Sequence, residues 1–446
     1  MDYAETVRYL YSLGNEVLTA KLGLYNVSTL LEFLGSPHKR FQSLLIAGTN
    51  GKGSVAAFVS SVLRQAGFVT GLYSSPHLDR IEERIQINGT AISAADFSRI
   101  TGDVKAAIDQ LISPSPNRRG EAGLFQHPTY FEVVTAIAFQ YLAEQKVKVA
   151  VLEVGLGGRL DATNVVDPVV AVITNVDLDH QRYLGESLAE IAIEKAGIIK
   201  PRTYAGDRPL PVVCCTPKPE VVDLLKKKSR AAGARLYPVM GYYWYKAEAD
   251  AFGRYCLTLD CEFGKGVQIN VPLPGEHQIF NALTAIRVSE LLRSAGFGIT
   301  RENLQAGIGQ TDWPGRMEIA GEGPWVILDG AHNPAGAACV KAYVQKFFSQ
   351  KKIIVVFAAM RDKAIAEMGR ILFPLGKEII LTKLAVERAA EPIEIAEALP
   401  EFKALYRCAG STESALQLAR HAAAPDDVIL VVGSLFLIGE ARHCLS

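Results

Sequence analysis

The sequence predicts an α/β protein in which mostly parallel sheets are flanked by helices, divided between a larger N-terminal and a smaller C-terminal domain. Short β-branched runs alternate with helical patterns along the chain, as they do in such sheets. The runs Val147–Glu153 and Val169–Asn175 are nearly continuous apolar segments, which is typical of central parallel strands that are buried on both faces. A length of 446 residues fits two large domains.

The composition excludes several classes of protein. Hydrophobic residues make up 49% of the chain and charged residues 21%, which argues against a disordered protein. Because 47 Lys and Arg balance 47 Asp and Glu, we expect no nucleic-acid partner and no binding to an anionic membrane. No apolar run approaches the ~20 residues of a membrane helix. The acidic N-terminus differs from a basic signal peptide, so we expect a cytoplasmic protein, and we expect it to be a monomer.

The first strand–loop–helix unit contains the strongest local motif. A strand is predicted at Ser43–Ala47 and a helix over residues 54–66, with the run Gly48-Thr-Asn-Gly-Lys-Gly-Ser54 between them. Glycines let backbone N–H groups surround phosphate oxygens, and the helix N-terminus adds a partial positive charge. Lys52 is placed to meet the β- and γ-phosphates of a nucleotide. We therefore predict a phosphate-binding loop rather than a plain glycine-rich turn, although Gly53 separates the lysine from the serine and so departs from the standard motif.

A metal site is predicted beside this loop. Glu153 and His180 each lie at or just beyond the end of a predicted parallel strand, where open α/β sheets place their ligands. A hard cation that bridges nucleotide oxygens needs oxygen ligands, which Glu153 and the Ser74 hydroxyl can supply. A histidine is an unusual magnesium ligand and, taken alone, is more often structural. Asp177 and Asp179 are alternative carboxylate ligands or helix caps.

The segment from about residue 201 to residue 271 has a different pattern. Many prolines, the Tyr242-Tyr-Trp-Tyr245 cluster and alternating runs predict a helix and antiparallel strands that cover one side of the N-terminal domain. The alternation lies at Cys256–Asp260 and Val267–Val271. The basic run Lys226–Lys228 is interpreted as a solvated helix face.

The domain boundary is placed near residue 312. Thr311-Asp-Trp-Pro-Gly315 is a turn-rich linker, so the predicted domains are residues 1–311 and 312–446. A second strand–loop–helix rhythm follows the linker and predicts a Rossmann-like α/β domain. Its strands are predicted at Val326–Leu328, Ile353–Phe357, Glu378–Thr382 and Val428–Val432.

The unusual form of the phosphate loop carries a family resemblance. Gly48-Thr-Asn-Gly-Lys-Gly-Ser54 resembles the nucleotide loop of the Mur ligase superfamily, in the form that folylpolyglutamate synthases use. The resemblance implies a P-loop-type, mostly parallel sheet in an N-terminal ATPase domain and a smaller Rossmann-like α/β C-terminal domain. Further similar segments follow in order between about residues 22 and 442, and they are Leu72-Tyr-Ser-Ser-Pro-His-Leu78, Thr129-Tyr-Phe-Glu132, Glu153-Val-Gly-Leu-Gly-Gly-Arg-Leu-Asp-Ala-Thr-Asn164, Thr174-Asn-Val-Asp-Leu-Asp-His180, Trp313-Pro-Gly-Arg316, Leu328-Asp-Gly-Ala-His-Asn-Pro334 and Gly433-Ser-Leu-Phe-Leu-Ile-Gly-Glu440.

The resemblance implies an ATP-dependent, ADP-forming ligase that activates a folate carboxylate as an acyl phosphate and joins it to L-glutamate. Asp161, within Gly-Arg-Leu-Asp-Ala-Thr-Asn, favours the bifunctional type that also converts dihydropteroate to dihydrofolate. Three alternatives remain open. The chain could be a folylpolyglutamate synthase only, or a muramyl-peptide ligase, which the Tyr-Ser-Ser-Pro-His segment disfavours. A non-catalytic nucleotide-binding protein would leave the loop of Asp329 and His332 unexplained.

The resemblance also implies roles for individual residues. Magnesium, at two sites, would be bound by Ser74, Glu153 and His180, and catalytic roles would fall to Lys52, His180, Lys195 and Arg316. Lys195 matches the superfamily lysine that is carbamylated, and a desolvated lysine with a lowered pKa can react in this way; its alternative is a surface lysine. ATP would contact Thr49, Asn50, Gly51, Lys52, Gly53, Ser54, Asn281, Arg316 and Asp329.

The same resemblance implies where the other two substrates bind. Tyr130 and Phe131 can stack on rings, and Asp161 can accept hydrogen bonds from an aminopterin edge. His332 and Ser434 would hold the incoming glutamate. The folate or pteroate site would be lined by Thr129, Tyr130, Phe131, Glu132, Leu160, Asp161 and Ala162.

Overall fold

The computed structural model describes residues 1–14, 23–113, 125–201 and 209–445. The strands of these residues, numbered in chain order, are β1 Gln42–Ala47, β2 Thr70–Tyr73, β3 Ile85–Ile87, β4 Thr90–Ala91, β5 Val149–Glu153, β6 Val170–Ile173, β7 Pro211–Cys214, β8 Arg235–Pro238, β9 Tyr245–Ala249, β10 Tyr255–Cys261, β11 Gly264–Val271, β12 Glu318–Gly321, β13 Trp325–Asp329, β14 Ile353–Phe357, β15 Gly376–Thr382, β16 Tyr406–Ala409 and β17 Val428–Val432. The helices are α1 Tyr3–Ser12, α2 Tyr25–Phe33, α3 Lys52–Gln65, α4 Ala94–Ile112, α5 Tyr130–Glu144, α6 Gln181–Leu184, α7 Leu188–Lys195, α8 Pro219–Ala231, α9 Glu276–Ser294, α10 Arg301–Gly309, α11 Pro334–Phe347, α12 Ile365–Leu372, α13 Pro392–Ala398, α14 Thr412–Ala422 and α15 Leu435–Leu445.

The larger sheet has eight strands in the order β4-β3-β2-β5-β1-β6-β7-β8. All neighbouring pairs from β2 to β8 are parallel, while β3 and β4 pair antiparallel at one edge. The mostly parallel sheet predicted from the apolar runs is confirmed. Strand β5 begins two residues later than predicted, at Val149, because the N–H of Val147 bonds to Leu142 O and closes the end of helix α5.

Helices cover both faces of the larger sheet. One face packs against α1, α2, α4, α5, α7 and α8, and the other against α3, α9 and α10. An antiparallel sheet of order β11-β10-β9 joins this second layer, with Leu257 and Ile269 in the same core cluster as Val62 of α3. The predicted antiparallel strands on one side of this domain are therefore confirmed. The rest of the segment differs from the prediction, because β7 and β8 are parallel strands of the larger sheet and α8 packs on its opposite face.

The third sheet contains six strands in the order β12-β13-β17-β14-β15-β16. All neighbouring pairs are parallel except β12 with β13. Helices α11, α12 and α13 pack on one face and α14 and α15 on the other, so the predicted second α/β unit is confirmed. Its strands all lie beyond residue 312, while the exact domain boundary stays a prediction. In the part of the chain that the structure describes, no helix is long and apolar enough to cross a membrane.

The two large sheets face each other at their carboxyl edges. Asn50, after β1, and Asn333, after β13, exchange side-chain hydrogen bonds of 3.3 and 3.0 Å. Ligands of open α/β sheets bind at this edge. The fold therefore places the candidate site between the two sheets.

Candidate active site

The loop between β1 and α3 has a backbone that only glycine fits at two positions. Gly48 and Gly51 have φ angles of +153° and +81°. A Cβ atom on Gly48 would lie 1.8 Å from Thr174 Oγ1, and one on Gly51 would lie 2.5 Å from Asn281 Oδ1. These two glycines therefore let neighbouring elements approach the loop closely.

Residues after strand β6 hold this loop in place. The N–H groups of Thr49 and Asn50 donate to the backbone and side-chain oxygens of Asn175 at 3.0 and 2.7 Å. Thr174 Oγ1 donates to Asn50 O at 2.7 Å. Helix α3 begins at Lys52, so its first N–H groups point toward the loop, where they can bind an anion.

Two lysines meet at the same backbone oxygen of the loop. Lys52 Nζ donates to Gly48 O at 3.2 Å, and Lys195 Nζ donates to it at 2.8 Å. Lys195 is only 4% exposed, so the alternative of a surface lysine is wrong. Burial, and to a smaller extent the charge of Lys52, lowers the pKa of Lys195 to about 7.

A cavity of about 350 Å³ extends from this loop. Asn281 lies against the loop, and its amide donates to Gln278 Oε1 at 2.9 Å. Beyond these polar groups, the cavity is lined by the small or apolar side chains of Cys215, Met240 and Phe280, which the sequence did not single out. A polar end and an apolar end suit the phosphates and the base of a nucleotide.

The six-stranded sheet supplies the opposite wall of this nucleotide cavity. Asp329, at the end of β13, accepts hydrogen bonds from the N–H groups of Met317 and Ala331, both at 2.9 Å. Burial raises the pKa of Asp329, and the charge of Arg316 opposes that rise. Arg316 also lines the cavity, so the structure brings together every residue predicted to bind ATP.

The predicted metal ligands do not all line one cavity. Glu153, at the end of β5, and His180 line the nucleotide cavity, whereas Ser74 lines an adjoining cavity. Glu153 Oε2 accepts a 3.4 Å hydrogen bond from the N–H of Ser75. Among the described residues, no three His, Cys, Asp or Glu side chains form a metal-binding group. The oxygen donors fit Mg²⁺ of the kind that is shared between one or two protein ligands and substrate phosphates.

The two alternative carboxylates are both paired with cations. Asp177 forms an ion pair with Lys218. Asp179 accepts hydrogen bonds from Lys363 Nζ at 2.9 Å and from Asn333 Nδ2 at 3.1 Å. Burial would raise the pKa of Asp179, but the Lys363 ammonium outweighs it and holds that pKa well below its usual range.

Lys363 connects the two sheets at the centre of the site. Besides its hydrogen bond to Asp179, the Nζ atom of Lys363 lies 3.3 Å from His180 Nε2. Burial lowers the pKa of His180 to about 3 and that of His332 to about 4, so both imidazoles are neutral at pH 7. Sequence reasoning missed Lys363, although its place just after strand β14 was a usable signal.

A second cavity, of about 140 Å³, lies beside the nucleotide cavity. Six of the seven predicted folate-site residues line it: Thr129, Phe131, Glu132, Leu160, Asp161 and Ala162. His332 and Ser434, the predicted glutamate contacts, line it as well. Met360, Arg388 and Phe436 of the other sheet complete its wall, and the sequence did not single out these three residues.

Tyr130 does not line this acceptor cavity. The expectation that its ring stacks on a substrate is therefore wrong. It is 3% exposed, and its ring stacks on Tyr11 with 6.2 Å between centroids. Arg84 lies over the same ring at 5.6 Å. Successive helix residues point about 100° apart, so Phe131 faces the cavity while Tyr130 faces the core.

Asp161 forms hydrogen bonds within its own loop, which follows strand β5 and lines the acceptor cavity. It is 5% exposed, and it accepts hydrogen bonds from the N–H groups of Leu156 at 2.9 Å and Thr163 at 3.0 Å. Burial raises the pKa of its carboxyl group. The next turn is held by Lys200, whose Nζ donates to Asn164 O at 2.7 Å. These hydrogen bonds hold the loop in this conformation.

Comparisons with known proteins agree with this geometry. Residues 120–289 match the Mur ligase middle domain, and residues 315–435 match the Mur ligase glutamate ligase domain. The fold and site define an ATP-dependent, ADP-forming ligase of the Mur type. More particularly, the chain belongs to the folylpolyglutamate synthase and dihydrofolate synthase family, because curated members of that family are 32% and 34% identical to it over 95% and 94% of this chain.

Relatives and solved structures cover the whole chain. The Bacillus subtilis dihydrofolate synthase/folylpolyglutamate synthase is 32% identical over 95% of this chain and 95% of its own length. The chain is 34% identical to a Haloferax volcanii protein named "Probable bifunctional folylpolyglutamate synthase/dihydropteroate synthase", of which it spans 50%. The Mycobacterium tuberculosis folylpolyglutamate synthase, solved with ADP and AMPPCP, superposes with a TM-score of 0.88, at 31% identity and over 100% of this chain and 99% of that one.

Proposed function

We propose that this protein uses ATP to add L-glutamate to folates, and that it also joins L-glutamate to dihydropteroate to form dihydrofolate. One observation carries the proposal: the nucleotide cavity and the acceptor cavity share a wall. Ser75, Gly155, Leu156, His180 and His332 line both cavities. A carboxylate bound in the acceptor cavity can therefore meet the γ-phosphate of a nucleotide bound at the loop.

The first step is phosphoryl transfer. A carboxylate oxygen of the acceptor attacks the γ-phosphorus of ATP, the bond to the β-phosphate oxygen breaks, and ADP and an acyl phosphate form. Positive groups that are fixed near the transferred phosphoryl group neutralise its charge and hold donor and acceptor in line. Lys52, at the phosphate loop, and Arg316, on the opposite wall, are the residues assigned to this task.

The second step is amide formation. The amino group of L-glutamate attacks the acyl carbon, the carbon–oxygen bond to phosphate breaks, and inorganic phosphate leaves. His332 is neutral because burial lowers its pKa to about 4, so its imidazole can accept a hydrogen bond from the attacking amine. Ser434 precedes helix α15 on the same wall and is the second residue assigned to glutamate.

Magnesium and a modified lysine complete the proposed site. Glu153 and His180, with Ser74 beside them, would hold Mg²⁺, which would neutralise phosphate charge when it is bound. A second ion would need another carboxylate, and carbamylated Lys195 would supply one. A lysine with a pKa of about 7 is about half uncharged at pH 7, and the uncharged amine is the form that reacts with carbon dioxide.

The test is glutamate-dependent ADP release with three acceptors: dihydropteroate, tetrahydrofolate and a muramyl peptide. We expect turnover with both pterin compounds and none with the muramyl peptide. Turnover with tetrahydrofolate alone would remove the dihydrofolate synthase activity. Turnover with neither pterin would refute the folate assignment. The expectations of a cytoplasmic location and a monomer stay predictions, and sedimentation of the purified protein tests the second.

A further inference from the structure

Two cations of the six-stranded sheet line the acceptor cavity, Lys363 and Arg388. They lie in the loops that follow the neighbouring parallel strands β14 and β15. Backbone hydrogen bonds join these loops: Arg361 N donates to Arg388 O at 3.0 Å, and Ala390 N donates to Ala359 O at 2.9 Å. Arg388 is therefore fixed at the carboxyl edge of the sheet, where α/β proteins bind their ligands.

The two cations differ in how far they are neutralised. Lys363 forms an ion pair of 2.9 Å with Asp179, and both side chains are only 10% exposed. Arg388 forms one ion pair in the described part of the chain, with Asp362, and its charged atoms are 3.9 Å apart. That distance is too long for a direct hydrogen bond. The fork of N–H donors of Arg388 therefore has capacity for a second carboxylate.

The surroundings of Arg388 fix its orientation without using its donors. Its guanidinium carbon lies 5.7 Å from the centroid of the Phe436 ring. A guanidinium that lies over an aromatic face keeps the N–H groups at its edge available. The side chain is 26% exposed, which is open enough to admit a ligand and enclosed enough to strengthen an ionic hydrogen bond.

Arg388 also lies where a substrate can enter. It lines both the acceptor cavity and a wider groove of about 1020 Å³. His180, His332 and Lys363 line both spaces too. An amino acid that arrives through the groove can place its amine at His332. Arg388 lines the same two spaces, and its guanidinium can bind a carboxylate of that amino acid.

We propose that Arg388 binds the side-chain carboxylate of the incoming L-glutamate and so selects glutamate over uncharged analogues. This inference rests on the proposed function, because it requires a glutamate substrate. A planar fork matches a carboxylate with two parallel hydrogen bonds. L-Glutamine has the same length but would leave Arg388 with only its long contact to Asp362, and a site that is built for a charged partner discriminates strongly against such an analogue.

The test is the Arg388→Gln variant, which keeps a long polar side chain and removes the charge. With dihydropteroate as acceptor, we expect the KM for glutamate to rise about 10- to 100-fold, the range for losing a hydrogen bond to a charged group. The preference for glutamate over glutamine in kcat/KM should fall by a similar factor. The KM values for ATP and dihydropteroate should stay within about twofold. Arg388→Lys should be intermediate, because lysine keeps the charge but not the fork.

Arg361→Gln is the matched control. Arg361 is in the neighbouring loop, but its guanidinium already bonds to Glu394 at 3.0 Å and to Glu387 O at 3.0 Å, so glutamate kinetics should not change. Unchanged glutamate KM and selectivity in an active Arg388→Gln variant would overturn the inference while leaving the proposed function intact. A higher KM for tetrahydrofolate with an unchanged KM for glutamate would also overturn it, since Arg388 would then bind the acceptor. Absence of glutamate-dependent turnover in the unaltered protein would refute the proposed function and this inference with it.

Discussion

Lys195 donates a 2.8 Å hydrogen bond to the carbonyl oxygen of Gly48, which lies 147 residues earlier in the chain. The bond ties the end of helix α7 to the phosphate loop. It also places a buried amine, with a pKa of about 7, beside the Lys52 ammonium. The lowered pKa leaves Lys195 about half uncharged at pH 7, which reduces its repulsion from Lys52. A nucleotide or a carbamate would change this balance of charge.

Replacing Lys195 with alanine should lower kcat for ADP release roughly 100- to 1000-fold, the scale for losing one preorganised charged contact. The KM for glutamate should change little, because the glutamate residues lie on the other wall. Lys346→Ala is the control, since Lys346 pairs with Glu276 and neither side chain lines the nucleotide cavity or the acceptor cavity. Near-normal kcat in the Lys195 variant would exclude it from the reaction.

The stability contributed by Lys195 should depend on pH. Its folded pKa of about 7 lies below the ordinary lysine value of 10.5. Between these values the unfolded chain binds the extra proton, so the stability of the protein relative to a Lys195→Met variant should rise with pH, by at most about 1.4 kcal/mol per unit. Denaturant unfolding of both proteins at pH 7, 8 and 9, in buffer free of carbon dioxide, measures this. A flat difference would show that burial leaves the pKa of this amine unchanged.

Gly51→Ala should weaken ATP binding. The residue has φ +81°, and the new Cβ would lie 2.5 Å from Asn281 Oδ1, so both the backbone and the nucleotide wall must shift. We expect a higher KM for ATP and a loss of about 1–2 kcal/mol of stability. Gly67→Ala is the control, because Gly67 has φ +83° with no atom within 4 Å of the added Cβ. It should lose stability but keep the KM for ATP. Equal effects of the two variants on this KM would show that the close contact between Gly51 and Asn281 does not shape the ATP site.

Phe131 and Tyr130 offer a paired test of the acceptor cavity. Phe131→Leu should raise the KM for dihydropteroate about 5- to 10-fold, which corresponds to the loss of one aromatic stacking contact of about 1 kcal/mol. Tyr130→Phe should leave that KM unchanged, since its ring packs in the core against Tyr11. Steady-state kinetics of both variants decides. A change confined to the Tyr130 variant would place the acceptor elsewhere.

The sequence predicted the features that depend on local pattern. Strands β5 and β6 could be found directly, because central parallel strands that are buried on both faces are apolar. The loop from Gly48 to Ser54 could be found because a glycine-rich turn between a strand and a helix is typical of a phosphate-binding loop. Tyr130 was wrongly assigned to the face of α5 that lines the cavity, because a sequence motif does not show which of its neighbouring residues point to that face of the helix. Lys363 and Arg388 were missed because a single cation in a loop has no periodicity, although both residues follow predicted strands. Only the pairing of two loops distant from the phosphate motif brings them to the cavity.

The burial of Lys195 also could not be predicted from its helix. Its apolar spacing indicated an amphipathic helix, but either face of such a helix can carry a lysine. Contact with Gly48 requires the packing of α7 against the end of β1, which is a tertiary relationship. The resemblance to a family suggested the role of this lysine, and the structure shows why its amine is unusual.

The acyl-phosphate mechanism is tested most directly by following the oxygen atoms of the acceptor carboxylate. Dihydropteroate with ¹⁸O in its carboxylate is incubated with the protein, ATP, Mg²⁺ and L-glutamate, and the inorganic phosphate is analysed by mass spectrometry. If the carboxylate attacks the γ-phosphorus, one labelled oxygen leaves with the phosphate and glutamylated product accumulates. Glutamylated product with unlabelled phosphate, or ADP release without any glutamylated product, would contradict the acyl-phosphate mechanism proposed for this site.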